Sequence, residues 1–143
     1  MGCLAAGVDD ERFEALSRYA LLFGRCFQIR DDIFDYFPSE IVGKPTGNDL
    51  REGKISLPLL YVLGRNELPG CAEIKALLDT DGLSDADIAR IQGFARENGG
   101  IDYAFEAMKE LRKQAYKCLS IFPESENRRE LEELFDFTIS RQF

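Results

Sequence analysis

Apolar residues recur along this chain at intervals of three and four, and polar breaks divide the recurrence into helix-length segments. Asp9, Asp10 and Glu11 load the start of the first, and Phe13, Leu16, Ala20, Phe23, Phe27 and Phe34 follow at helical spacing. The pattern predicts a helix over 10–37, ended by Pro38, and then a loop over 38–54. Short helices are predicted over 55–63 and 73–78, the first ended in the Gly64–Asn66 region. Ser84 is placed to cap a helix carrying Ile88, Ile91, Phe94 and Ala95, which Asn98, Gly99 and Gly100 stop. A second long helix over 101–122 puts Ala104, Met108, Leu111, Ala115 and Leu119 on one stripe, and Pro123 breaks it. Ser125 or Asn127 starts the last helix, through Leu131, Leu134, Phe135 and Ile139. No alternating strand pattern, internal repeat or low-complexity tract competes. The expected class is all-α, with residues 1–143 forming a single helical domain.

Composition narrows the function classes. Of 143 residues 45% are hydrophobic, enough for a real core. Acidic residues outnumber basic ones 26 to 18, giving a net charge of −8. That disfavours nucleic acid, which selects clustered Lys and Arg, and an anionic membrane surface. With no histidine, a zinc site would need thiolates. Cys3, Cys26, Cys71 and Cys118 are widely spaced and form no C-x-x-C pair. They read as reduced, partly buried thiols of a cytoplasmic protein. No apolar run approaches the roughly 18 residues of a membrane span. Met1-Gly2 would suit myristoylation, but position 6 is Ala rather than Ser or Thr, so that signal fails.

The densest chemistry lies in residues 24–36, where Asp31, Asp32 and Asp35 sit on a strongly apolar helical segment. Asp31 and Asp35 are four apart and share a helix face, which Gln28 borders. Like charges at this spacing cost about 0.2–0.5 kcal/mol per pair. The acids also stand near the negative end of the helix dipole. Something positive should compensate both terms. A magnesium ion suits the donors, since it takes one or two carboxylates and completes its shell with substrate phosphates. By itself the triplet reads equally as a solvated acidic stripe. Residues 43–54 add Gly43, Gly47 and Gly53 with Lys44 and Lys54. Glycines let backbone N–H groups approach an anion, and lysine is a mobile point charge suited to phosphate. Alone, this loop is an ordinary surface connection. An acidic metal site followed by a basic, glycine-rich loop is what a magnesium–diphosphate ligand requires.

At these residues the chain resembles the trans-isoprenyl diphosphate synthases, in their second aspartate-rich region. The resemblance is carried by Phe27, Gln28, Asp31, Asp32 and Asp35, then Gly43, Lys44, Gly47, Asp49, Leu50, Glu52, Gly53, Lys54, Ser56, Leu57 and Pro58. It continues through Asn98, Gly99, Gly100, Ile101, Tyr103 and Ala104, and through Phe122, Pro123, Ser125 and Arg129, to Arg141. The long-chain, octaprenyl-type branch is the most similar in these motifs. The family's first aspartate-rich motif and its upstream Arg-Arg and Lys-Thr pairs would precede the position of Gly2, so the chain is expected to correspond to the C-terminal half of such an enzyme.

The resemblance implies part of the isoprenoid-synthase helical bundle. It implies magnesium-dependent head-to-tail condensation of isopentenyl diphosphate with an allylic prenyl diphosphate, giving a polyprenyl diphosphate. Asp31, Asp32 and Asp35 are then magnesium ligands or their close support, with Asp31 the first choice. Lys44 and Lys54 are the diphosphate contacts, and Asp49 touches substrate or orients a lysine. Gln28 and Phe27 face the substrate cavity, although simple core packing accounts for Phe27 as well. Arg25 and Arg30 are expected as solvated charges neutralising the acids. The usual lysine after Arg141 is replaced by Gln142-Phe143, which leaves a phosphate-closing role for the tail without support. One expectation is a chain inactive by itself that self-associates or joins the missing N-terminal half. The alternative is a non-catalytic helical subunit that keeps affinity for magnesium diphosphate or a protein partner.

Overall fold

Asp9 starts the longest helix of the molecule by accepting the Arg12 N–H on Oδ1 at 2.8 Å. The computed structural model describes residues 2–43, 45–80 and 82–141, with the side chains of all but Leu4, Ser39 and Glu40. In chain order the described elements are α1 (Gly2–Ala5), α2 (Asp10–Phe34), α3 (Ser39–Val42), α4 (Asn48–Arg51), α5 (Leu57–Leu63), α6 (Cys71–Leu78), α7 (Asp85–Glu97), α8 (Gly100–Leu119) and α9 (Glu126–Ser140). Among the described residues everything regular is helical, so the expected all-α class holds.

Several boundaries differ from the sequence reading. α2 stops at Phe34 rather than Phe37. The N–H groups of Asp35, Tyr36 and Phe37 bond back to the carbonyls of Asp32, Ile33 and Phe34, three residues earlier. Pro38 disfavours helical torsions at Phe37, and the last turn tightens instead of continuing. The predicted loop over 38–54 contains two single-turn helices, α3 and α4. α8 likewise ends at Leu119, short of Phe122. The caps follow the sequence. Ser84 Oγ accepts the Asp87 N–H at 3.2 Å while the Asp87 carboxylate accepts the Ser84 N–H at 3.0 Å, a capping box. Ser125 caps α9 through the Arg128 N–H.

The chain divides into two compact units, with the boundary passing through α2 and α8. One comprises the residues up to Gln28 and those from Ala107 onward. Its core holds Tyr19, Leu22, Cys26, Met108, Ala115, Leu119 and Phe135. The Phe135 ring meets Tyr19 and Phe23 edge-on at 6.2 and 5.7 Å. Tyr19 donates its hydroxyl to the Leu131 carbonyl at 2.7 Å, and burial pushes its pKa up. Arg112 pairs with Asp136 at 2.9 Å, joining α8 to α9.

The apolar positions predicted for α2 match its buried face only in part, with Phe34 buried and Phe23 packed on Phe135. Phe13, Ala20 and Phe27 are exposed, and Tyr19, Leu22, Cys26 and Ile33 are buried instead. α2 is apolar on more than one side, and Phe135 selects the Tyr19 side. On α8, Leu111 is only half-buried, while Ala104, Met108, Ala115 and Leu119 keep their predicted places.

The second unit, Ile29–Glu106, packs α5, α6 and α7 against one another. Ile33, Leu59, Val62, Ile74, Ile88 and Ile91 fill its core. Gly99, at φ 82°, ends α7, and Gly100 opens α8 hard against the Pro58 backbone, where a Cβ would collide with the Pro58 carbonyl. None of the four cysteines is in a disulfide, and Cys26 and Cys71 are buried. Among the described residues no helix is long and apolar enough to cross a membrane.

Phe135→Ala should cost about 3–5 kcal/mol in urea unfolding. Phe137→Ala, on the same helix but 62% exposed, should stay within about 0.5 kcal/mol. Equal losses at the two positions would mean that α9 packs through a different face.

Candidate functional site

A helix end leaves carbonyl groups without intrahelical partners, and the end of α2 carries three carboxylates as well. The tightened turn takes up the carbonyls of Asp32, Ile33 and Phe34, and α7 meets the two that follow the helix. Gln92 Nε2 donates to the Asp35 carbonyl at 2.6 Å, and the Arg96 guanidinium donates to the Tyr36 carbonyl. Arg96 brings positive charge to the negative end of the dipole. Part of the compensation expected from a metal is therefore supplied by the protein. Sequence reasoning named neither residue. Ile88, Gln92 and Arg96 recur every four positions, so a polar pair continues an apolar stripe of α7.

The Asp35 side chain turns to the glycine-rich loop. Its Oδ1 accepts the Gly47 N–H at 2.7 Å. Burial raises its pKa first, the nearby Asp49 charge adds to that, and the backbone N–H groups of Gly47, Asn48 and Asp49 draw it back. Gly47 has φ 77°, and a Cβ there would lie 2.6 Å from Ile88 Cγ2 and 3.3 Å from Gln92 Nε2. Positive φ and lack of room both select glycine. Arg51 donates to the Thr46 carbonyl at 3.3 Å and pairs with Asp85, the first residue of α7. Next to Asp35, Tyr36 is buried, its hydroxyl lies 2.8 Å from Ser56 Oγ, and burial pushes its pKa up to about 12.

Asp31 and Asp32 are half-buried on the last turns of α2. Asp35 lies in the tightened turn beyond the helix, so the α-helical alignment of Asp31 with Asp35 does not apply. Lys54 is exposed and reaches Glu52 at 2.7 Å and Asp49 at 3.3 Å. These partners raise its pKa, Glu52 most, and Lys54 in turn lowers that of Glu52. Lys44 lies outside the described residues. Phe27, 48% exposed, and Gln28, also exposed, belong to the other unit. Arg30 corrects the sequence reading. It is 5% exposed rather than solvated, with its guanidinium carbon 4.7 Å from the centre of the Phe34 ring and 5.4 Å from that of Phe105. Apolar and cation–π contacts hold a side chain that helical phase turns inward.

Among the described residues no three His, Cys, Asp or Glu side chains gather into a cage able to hold a metal. Magnesium does not need one. Asp31 and Asp32 are adjacent, partly open hard-oxygen donors, and phosphates and water complete such a shell. The donor set fits the ion.

The polyprenyl synthetase family matches residues 1–93. A nonaprenyl diphosphate synthase of Mycobacterium tuberculosis is 37% identical over 142 residues, covering 99% of this chain and 42% of that protein. An octaprenyl diphosphate synthase of Haemophilus influenzae is 31% identical over 141 residues, covering 98% and 43%. The polyprenyl synthase of Caulobacter crescentus, solved with calcium and isoprenyl diphosphate, aligns with a TM-score of 0.88 at 36% identity, covering 99% and 44%. The chain therefore spans about two-fifths of the length of these relatives.

Gly47→Ala should lose about 1–3 kcal/mol from overpacking, on top of its torsional strain. Gly53→Ala, also at positive φ but facing open space, should lose only the torsional part, about 1–2 kcal/mol. Denaturant titration of both variants measures the difference, and equal losses would mean that Ile88 and Gln92 give way.

Proposed function

The chain belongs to the polyprenyl synthetase family, and on that premise we propose that it forms one wall of a prenyltransferase site. The reaction is head-to-tail condensation of isopentenyl diphosphate with an allylic prenyl diphosphate. The observation that carries the reading is the Asp35–Gly47 hydrogen bond, which ties the aspartate-rich end of α2 to the glycine-rich loop. Carboxylates suited to a hard cation and a loop suited to diphosphate are thereby fastened together.

In this reading Asp31 and Asp32 hold magnesium, with Asp35 as their close support. When bound, the ion supplies positive charge for the departing diphosphate. Lys44 and Lys54 bind the diphosphate oxygens. Asp49 and Glu52 hold the Lys54 ammonium near the loop. Phe27 and Gln28 contact the substrate. The wall works by electrostatic stabilisation of a leaving group in a site from which water is excluded. The 143 residues contain one Asp-Asp-x-x-Asp motif, so turnover depends on a second carboxylate wall from the rest of the enzyme or a partner chain. Exposed Phe13, Leu21 and Phe27 on α2 favour such a covering partner. Four cysteines outside any disulfide suit the cytoplasm.

Magnesium alone should bind weakly, and inorganic diphosphate should tighten it, with the same factor appearing in diphosphate affinity when magnesium is added. Calorimetry showing equal magnesium affinity with and without diphosphate would refute the site.

Asp31→Ala should leave the melting point in metal-free buffer unchanged or slightly higher, since it removes a negative charge from the negative end of the α2 dipole, an effect of about 0.3–1 kcal/mol. The same change should sharply weaken magnesium diphosphate binding. A strongly lowered melting point without metal would make Asp31 a structural residue.

A further inference from the structure

Three segments meet at Gly47: the end of α2 through the Asp35 carboxylate, the loop itself, and α7 through Ile88 and Gln92. We infer that Asp35 is a positioning residue rather than a magnesium ligand, and that Gln92 is the second arm of the same brace, the two together setting the Asp31–Asp32 pair against the diphosphate loop. The inference rests on the reading of that pair as the metal wall.

Asp35 is held on both its side chain and its backbone. Oδ1 takes the Gly47 N–H, and the Asn48 and Asp49 N–H groups that follow help to draw the carboxyl pKa down. A carboxylate oxygen that accepts a short backbone N–H bond is committed to the loop, which sets the orientation of the group. Its carbonyl is fixed independently by Gln92, a buried amide that also lies against Gly47. Breaking either arm frees the turn that follows Asp31 and Asp32, and with it the register between acids and loop. Among the described residues no hydrogen bond or ion pair joins Gln92 to Asp31, Asp32 or Lys54, and its route to binding runs through Asp35 and Gly47. The motif spacing then has a physical division: two adjacent acids face a cation, and the third, past the helix end, reaches the loop.

The test compares Asp35→Ala, Asp35→Asn and Gln92→Met in the full 143-residue chain. Calorimetry with magnesium and inorganic diphosphate gives affinity, and hydrogen exchange at the Gly47 amide in metal-free buffer reports the brace. Asp35→Ala should weaken binding about 10–100-fold and expose the Gly47 amide. Asp35→Asn keeps an acceptor for that amide, so it should preserve the protection and recover about tenfold of the lost affinity. Gln92→Met should weaken binding in the same direction. The inference is overturned if Asp35→Asn keeps Gly47 protected yet binds as poorly as Asp35→Ala, since the charge itself would then be used. It is equally overturned if Gln92→Met binds like the parent. Asp31→Asn with undiminished binding would instead refute the metal wall, leaving the Gly47 protection pattern intact. A parent chain that binds no magnesium diphosphate would refute both.

Discussion

A 25-residue helix with two carboxylates in its last turn and a third just past its end is electrostatically unfavourable at its own C-terminus. The way that end is satisfied organises everything around the candidate site. Arg96 and Gln92 reach from α7 to the carbonyls of Tyr36 and Asp35 in the turn just past it. Asp35 leaves the helix and spends its charge on the amide of Gly47. Gly47 can stand there only because it has no side chain, since Ile88 and Gln92 occupy the space a Cβ would need. One junction thus fixes the helix end, the loop and α7 together.

The other unit has the opposite character. Phe135 draws Tyr19 and Phe23 into its core, and α2 is left with Phe13, Leu21 and Phe27 facing outward. Phe137 and Leu134 of α9 are exposed as well. Isolated exposed apolar residues are ordinary, but several large ones on two helices of one small unit suit an interface. The buried Cys26 and the open Phe27 are neighbours in sequence, so a single residue step separates core from surface on this helix.

Much of the architecture was legible in one dimension because its causes are local. Helix periods, the Ser84 and Ser125 caps and the glycine stop after α7 each depend on residues within about one turn of one another. The pairing of an acidic helix end with a glycine- and lysine-bearing loop was also readable, since residue type and proximity in sequence carry it. Phase on α2 was not. A helix apolar on several sides offers periodicity no unique answer, and the partner face decides.

By itself the sequence determined the helical class, the approximate elements and the chemistry available at residues 31–54. Only the tertiary structure decided which acids face which partners. In the sequence Asp31, Asp32 and Asp35 are three similar carboxylates, and Arg30 is one more solvated charge. In the fold, Asp35 is bound to a glycine 12 residues away, its carbonyl to a glutamine 57 residues away, and Arg30 lies between aromatic rings. Those distinctions come from contacts between segments far apart in the chain, and local spacing carries no record of them.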